Sequence, residues 1–220
     1  MSELVSNRKT DSKQEKLFNQ FLFDYFFSKI NKTSKLIYDR ELQIAGVDLQ
    51  FNGAKTGNLL NVDIKAQSSK KYLNAPRPTF LLELSSINRY GEDFVGWFLN
   101  PDLITDYYAF MWIPKAKVNP DGGINSPDDI EEAEVMLVSK HMIKDYISNL
   151  LSKKGYNDLQ SVIYDMRNNE IERIPLDKGI NFSHTPTLYE KPVNIVVHKN
   201  ILKKFSIAHY IVTKEKLKKI

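Results

Sequence analysis

The 220-residue sequence contains no cysteine, which excludes disulfides, thiolate zinc sites and cysteine nucleophiles. That absence fits a reducing compartment, so the cytoplasm is the expected location. Long hydrophobic runs are missing too. The Phe-rich stretch around residues 18–30 is interrupted by Asn19, Gln20 and Asp24, and neither a membrane span nor a secretory signal is expected. No G-x-x-x-x-G-K-[ST] loop is present to cradle a nucleotide phosphate. The histidines His141, His184, His198 and His209 are not spaced as paired metal ligands, and they read as ordinary surface or strand residues. The Asp and Asn residues of the 119–129 loop lack the register of an EF-hand.

What is present suits a globular chain. Hydrophobic content of 42%, charged content of 26%, 12 Phe and 11 Tyr allow a sizeable core in one domain, or in one domain with an appended subdomain. The net charge of +4 is compatible with a nucleic-acid partner without requiring one. Its distribution is uneven. Lys65, Lys70, Lys71 and Arg77 fall close together, and Lys199, Lys203, Lys204, Lys214, Lys216, Lys218 and Lys219 load the C-terminal tail. The tail reads either as a phosphate-attracting surface or as the solvated end of a final Lys-rich helix.

The most informative segments are Gly46-Val47-Asp48-Leu49-Gln50-Phe51 and Asn61-Val62-Asp63-Ile64-Lys65-Ala66-Gln67. Each places apolar residues on one parity, and strand side chains alternate between faces. Asp63, Lys65 and Gln67 therefore share one face, and Asp48 projects opposite Val47, Leu49 and Phe51. The turn formers of Asn52-Gly53-Ala54-Lys55-Thr56-Gly57-Asn58 predict a hairpin between the two strands. Paired strands lie about 4.8 Å apart, which brings two carboxylates within reach of one metal ion. A weak cross-strand ion pair is the alternative reading of the same residues.

This arrangement resembles the PD-(D/E)XK nuclease superfamily over roughly residues 10 to 115. Asp48 matches its first acid and Asp63-Ile64-Lys65 its (D/E)xK element, with Val47 standing where the proline of the name would be. The resemblance implies an α/β fold: a mixed central β-sheet flanked by helices, a restriction-endonuclease-like core, and a C-terminal α/β extension. The expected division is a core over 1–118, a loop at 119–129 and an extension over 130–220. It also implies a Mg²⁺-dependent deoxyribonuclease, with Mn²⁺ able to substitute, held by Asp48, Asp63 and the Ile64 carbonyl. Lys65 would orient or help deprotonate the attacking water, and Gln67 would contact the scissile phosphate or that water. Lys70, Lys71 and Arg77 are the candidate nucleic-acid contacts. Cutting both strands of a duplex calls for two active sites, hence an expected homodimer. The rival reading is a non-catalytic nucleic-acid-binding or assembly protein on the same scaffold.

Upstream, the spacing of Phe18, Leu22, Tyr25, Phe26 and Ile30 predicts a helix over 13–30, capped by Asp11 or Ser12. Glu15 falls near the meridian of Leu22 and Phe26, which turns it inward, and the resemblance makes it a further metal ligand. A first-turn partner for the helix dipole is its other reading. Residues 35–44 alternate as a strand with Asp39, Glu41 and Gln43 on its polar side. Strands are expected at 79–84, 106–113, 133–138, 192–198 and 207–212, and helices at 140–152 and 157–166. The aromatics of 106–113 read as core.

Overall fold

The computed structural model describes residues 3–88 and 90–220, with side chains from Lys13 onward. The chain begins with α1 (Glu3–Leu22), a π-helical turn at Phe23–Phe27, α2 (Ser28–Ile30), β1 (Lys35–Leu36), α3 (Arg40–Ile44), β2 (Leu49–Asn52) and β3 (Leu59–Ala66). A 3-10 turn at Lys70–Tyr72 leads to β4 (Thr79–Ile87), β5 (Asp93–Val95) and β6 (Tyr107–Ala116). After a second 3-10 turn come β7 (Ile130–Ser139), α4 (Lys140–Lys153), α5 (Leu159–Asn168), β8 (Arg173–Asp177) and β9 (Ile180–His184). The chain closes with β10 (Val193–His198), α6 (Lys199–Leu202), β11 (Ser206–Val212) and β12 (Leu217–Lys219). This is a mixed α/β fold.

The chain divides into two compact units, one of residues 1–77, 104–138 and 206–220, the other of residues 78–103 and 139–205. The 119–129 loop lies within the first unit, and the chain leaves that unit between Arg77 and Pro78. The first unit holds a seven-stranded sheet in the order β1-β2-β3-β6-β7-β11-β12. β1, β2 and β3 form an antiparallel meander, whereas β3 and β6 run parallel. The expected hairpin is present, pairing Leu49 with Val62 and Asn52 with Leu59.

Alternation gives this sheet two unlike faces. Val62, Ile64, Ala109, Met111, Ile113, Val135, Leu137 and Val212 join Phe18, Phe21, Leu22, Phe26 and Phe27 in one core. Each fully buried Phe contributes about 1.5–3 kcal/mol by leaving water. The π turn adds backbone to the helix without breaking it, and Phe26 and Phe27 are both buried there. The opposite face carries Asp63, Lys65 and Gln67 alongside Tyr108, Phe110 and Trp112, through the pairs Asp63 to Tyr108 and Lys65 to Phe110. Those three aromatics are buried, as a core reading requires.

The second unit is a five-stranded sheet in the order β5-β4-β10-β9-β8, antiparallel throughout. α4 buries Ile143, Ile147, Leu150 and Leu151, and α5 buries Val162, Ile163 and Met166.

Several expectations give way. α1 begins at Glu3 and runs through Asp11 and Ser12, so neither caps it. Residues 35–44 are not one strand: β1 ends at Leu36, and Asp39 accepts a hydrogen bond from the Leu42 N–H (2.9 Å) to start α3. An aspartate that caps its own backbone competes effectively with a marginal two-sided strand. The Lys-rich tail is β12 rather than a helix, because Thr213 and Lys216 close a turn that sends Leu217–Lys219 back along β11. Lysines on such an edge strand discourage pairing with another chain. The β8–β9 hairpin had no counterpart among the expected elements.

Candidate active site

Asp48 is aimed by the end of α3. Gly46 adopts a left-handed conformation (φ 76°), its N–H bonds to the Gln43 carbonyl (3.1 Å), and the Val47 N–H bonds to the Leu42 carbonyl (3.0 Å). A side chain at Gly46 would strain that φ. Val47 is then fully buried and Asp48 turns to the other side. The Asp48 N–H meets the Val62 carbonyl, which sets Asp48 beside the Val62–Asp63 step of β3, just before the first ladder pair of Leu49 with Val62.

At this point the ladder between β2 and β3 changes. The Asp48 N–H reaches the Val62 carbonyl (2.9 Å), but the Ile64 N–H donates to the Asp48 carboxylate, Oδ2, at 2.8 Å. A carboxylate has taken the place of a main-chain acceptor. Since a strand residue presents its N–H and C=O toward the same side, the Ile64 carbonyl faces this edge as well.

Asp63 and Lys65 form an ion pair at 2.8 Å, with the Asp63 side chain 5% and the Lys65 side chain 28% exposed. Burial pushes the Asp63 carboxyl up to about 7, opposed by the Lys65 charge and reinforced by the neighbouring Asp48 carboxylate and a hydrogen bond to it. The two carboxyl groups are thus within hydrogen-bonding reach of each other. Burial alone would lower the Lys65 ammonium, but Asp63, Asp48 and Glu15 together hold it above its ordinary value. Lys65 therefore stays charged near neutral pH.

Glu15 is exposed rather than turned inward. The buried stripe of Phe18, Phe21 and Leu22 runs back at four- and seven-residue spacing to Gln14, and Glu15 stands about 100° further round the helix, at the edge of that stripe. Its neighbour Gln14 takes the buried position instead, exchanging two hydrogen bonds with the Ile124 main chain (2.8 and 3.0 Å). Glu15 still acts on Lys65 through space. Among the described residues no group of three or more His, Cys, Asp or Glu side chains converges as a metal cluster.

Gln67 is buried, and both ends of its amide are engaged by main chain. Its Nε2 donates to the Arg77 carbonyl (2.9 Å), and its Oε1 accepts from the Arg77 N–H (2.9 Å). The Trp112 indole donates to the same carbonyl (2.9 Å). Arg77 and Lys71 both lie 5.0 Å from the Tyr72 ring centroid. Lys70 is exposed, with its aliphatic stem beside Gly122.

Sequence reasoning missed three neighbours. Tyr108 lies beside Asp63 with its hydroxyl raised by burial and by that carboxylate. Trp112 and Tyr72 frame Arg77. Only the parallel register of β3 and β6 brings Tyr108 and Trp112 to this face, and no local pattern encodes that register. The remaining histidines are not uniformly superficial: His184 and His209 are buried, and His209 pairs with Glu134 at 3.0 Å.

No protein-family model, no curated protein and no solved structure matches this chain. No helix among the described residues is long and apolar enough to cross a membrane.

Proposed function

We propose that this protein is a metal-dependent DNA endonuclease of the cytoplasm, built on a restriction-endonuclease-like core and acting in restriction, mobile-element or phage DNA processing. The observation that carries the reading is the meeting of Asp48 and Asp63 where β2 parts from β3, with Lys65 on the same face. An antiparallel meander followed by a parallel strand supports it further.

The donor set fits a hard divalent cation. Asp48, Asp63 and the Ile64 carbonyl offer oxygen alone, as Mg²⁺ or Mn²⁺ prefers, and a cation there would offset the burial and the Asp48 repulsion that raise the Asp63 carboxyl. Such a metal, when bound, supplies an acidified water and neutralises charge on the phosphate. The Ile64 N–H fixes one Asp48 oxygen and thereby orients the other. Lys65, charged near neutrality, offers a donor to the developing phosphorane rather than a base. Glu15 contributes negative potential from the rim.

A second reading draws on the Lys65–Asp63 bridge itself, since the ammonium already neutralises the carboxylate and, among the described residues, no group of three or more His, Cys, Asp or Glu side chains converges. A nucleic-acid-binding protein that has lost catalysis would keep such a bridge closed. The assay is cleavage of supercoiled, linear, branched and single-stranded DNA with Mg²⁺ or Mn²⁺. Cleavage by the native chain and none by Asp63→Asn supports the enzyme. Salt-sensitive binding without cleavage under any metal favours the second reading.

A further inference from the structure

We propose that Arg77 and Lys71, held together on the ring of Tyr72, bind a backbone phosphate of the nucleic acid outside the Asp48–Asp63 centre, and that Gln67 is the residue that positions Arg77 for it. This rests on the nucleic-acid substrate proposed above, and on no step of the cleavage itself.

Each cation lies 5.0 Å from the centroid of the same ring, so the two are no further apart than twice that distance and repel each other. Each gains from the ring face, and among the described residues neither Arg77 nor Lys71 has a carboxylate partner. A shared anion would relieve that repulsion. A guanidinium fork and an ammonium within that span suit the oxygens of a phosphodiester. With cations on its ring, Tyr72 is poorly placed to stack on a base, so the contact reads the backbone rather than the sequence.

The Arg77 main chain is fixed far more firmly than a surface cation needs. Prolines flank it on both sides, which restricts its backbone to extended conformations. Three hydrogen bonds from two buried side chains, Gln67 and Trp112, then fix its N–H and carbonyl. Gln67 is 8% exposed, stands two residues after Lys65 on the same face, and spends its amide on Arg77. Through Gln67, about 6–7 Å beyond Lys65, the strand that carries Asp63 and Lys65 thus also fixes the main chain from which the Arg77 cation extends.

The test measures binding of labelled duplex and single-stranded DNA in Ca²⁺ across a salt series, then KM and kcat in Mg²⁺. Each phosphate contact contributes about 0.9 to the slope of log affinity against log salt on duplex DNA. Because the two cations serve one phosphate, the Arg77→Ala, Lys71→Ala double variant should reduce that slope by about one and each single variant by less, with binding weakened about three- to tenfold. Gln67→Ala should reproduce the Arg77→Ala loss, add little to it in the double variant, and act more on KM than on kcat. Gln67→Glu, which keeps the acceptor for the Arg77 N–H, should recover part of the affinity. An unchanged slope in the Arg77→Ala, Lys71→Ala double variant overturns the proposal, as does native protein that binds no DNA. A Gln67→Ala loss confined to kcat overturns the positioning role. The nuclease reading fails separately: native protein that cuts nothing, yet loses slope on Arg77→Ala, keeps the phosphate site and not the enzyme.

Discussion

Each unit contains an acid–base pair on its sheet, and the two pairs live under different conditions. In the first unit Asp63 and Lys65 meet in a sequestered place with a second carboxylate, Asp48, against them. In the second, Arg167 of α5 grips Asp93 of β5 and donates to the Ser85 hydroxyl (2.9 Å), while the Asp93 side chain remains 77% exposed. One pair has unbalanced charge and little water. The other is matched one to one, with its carboxylate in solvent and its arginine side chain, 16% exposed, held also by the Ser85 hydroxyl. Unbalanced buried charge lowers stability and is tolerated where chemistry uses it, so the comparison locates the candidate site in the first unit without reference to any motif.

The largest expected contrast is in cleavage. Lys65→Ala should lower kcat by about 10²–10³, the size of effect seen when one preorganised electrostatic group is removed, and Asp63→Asn by at least as much. Asp93→Ala should leave kcat within a few-fold of native. Comparable losses at both pairs would dissolve the distinction.

Stability against pH comes next. The folded-state pKa of Asp63, about 7, exceeds its ordinary 3.8, so between those values the unfolded chain binds fewer protons than the folded one. Stability of the metal-free protein should therefore fall as pH rises through this window, by up to about 4 kcal/mol across the whole of it at 1.36 kcal/mol per unit. Denaturant unfolding at pH 5 and pH 8 measures it, and Asp63→Asn should lack that part of the slope.

A smaller shift is expected from Asp48→Asn. The change removes the repulsion that helps raise Asp63, so the Asp63 carboxyl, followed by carbon-13 NMR, should titrate about one unit lower. Smallest of all, Asp93→Ala should cost less than about 1 kcal/mol in a denaturation midpoint, because its charge is already hydrated.

Much of the site is legible in the chain because it is local. Parity alone puts Asp63, Lys65 and Gln67 on one face, and the turn formers between Asn52 and Asn58 set the hairpin that brings Asp48 to the Val62–Asp63 step. What pattern misjudges are competitions and distances. Residues 39–44 alternate like a strand, yet the Asp39 side chain caps a helix there. Glu15 shares its meridian with Leu22 and Phe26, but the stripe buried at this end of the helix is centred on Phe18 and Phe21, which puts Gln14 inside and Glu15 at the margin. The two units interleave, with 78–103 and 139–205 leaving the first sheet and returning to it. Pairings such as β4 with β10 and β7 with β11 join residues far apart in sequence, and no window of sequence contains both partners. Gln67 shows the same limit: its face is readable, whereas its bonds to Arg77 depend on how the chain returns.

The central claim is that Asp48 and Asp63 take a divalent cation in the space that Lys65 now bridges. Titrating the protein with Mn²⁺ and following free metal by electron paramagnetic resonance tests this directly. One equivalent bound by the native chain, and lost in both Asp48→Asn and Asp63→Asn, is the predicted result. No uptake, or uptake that survives both substitutions, would contradict it.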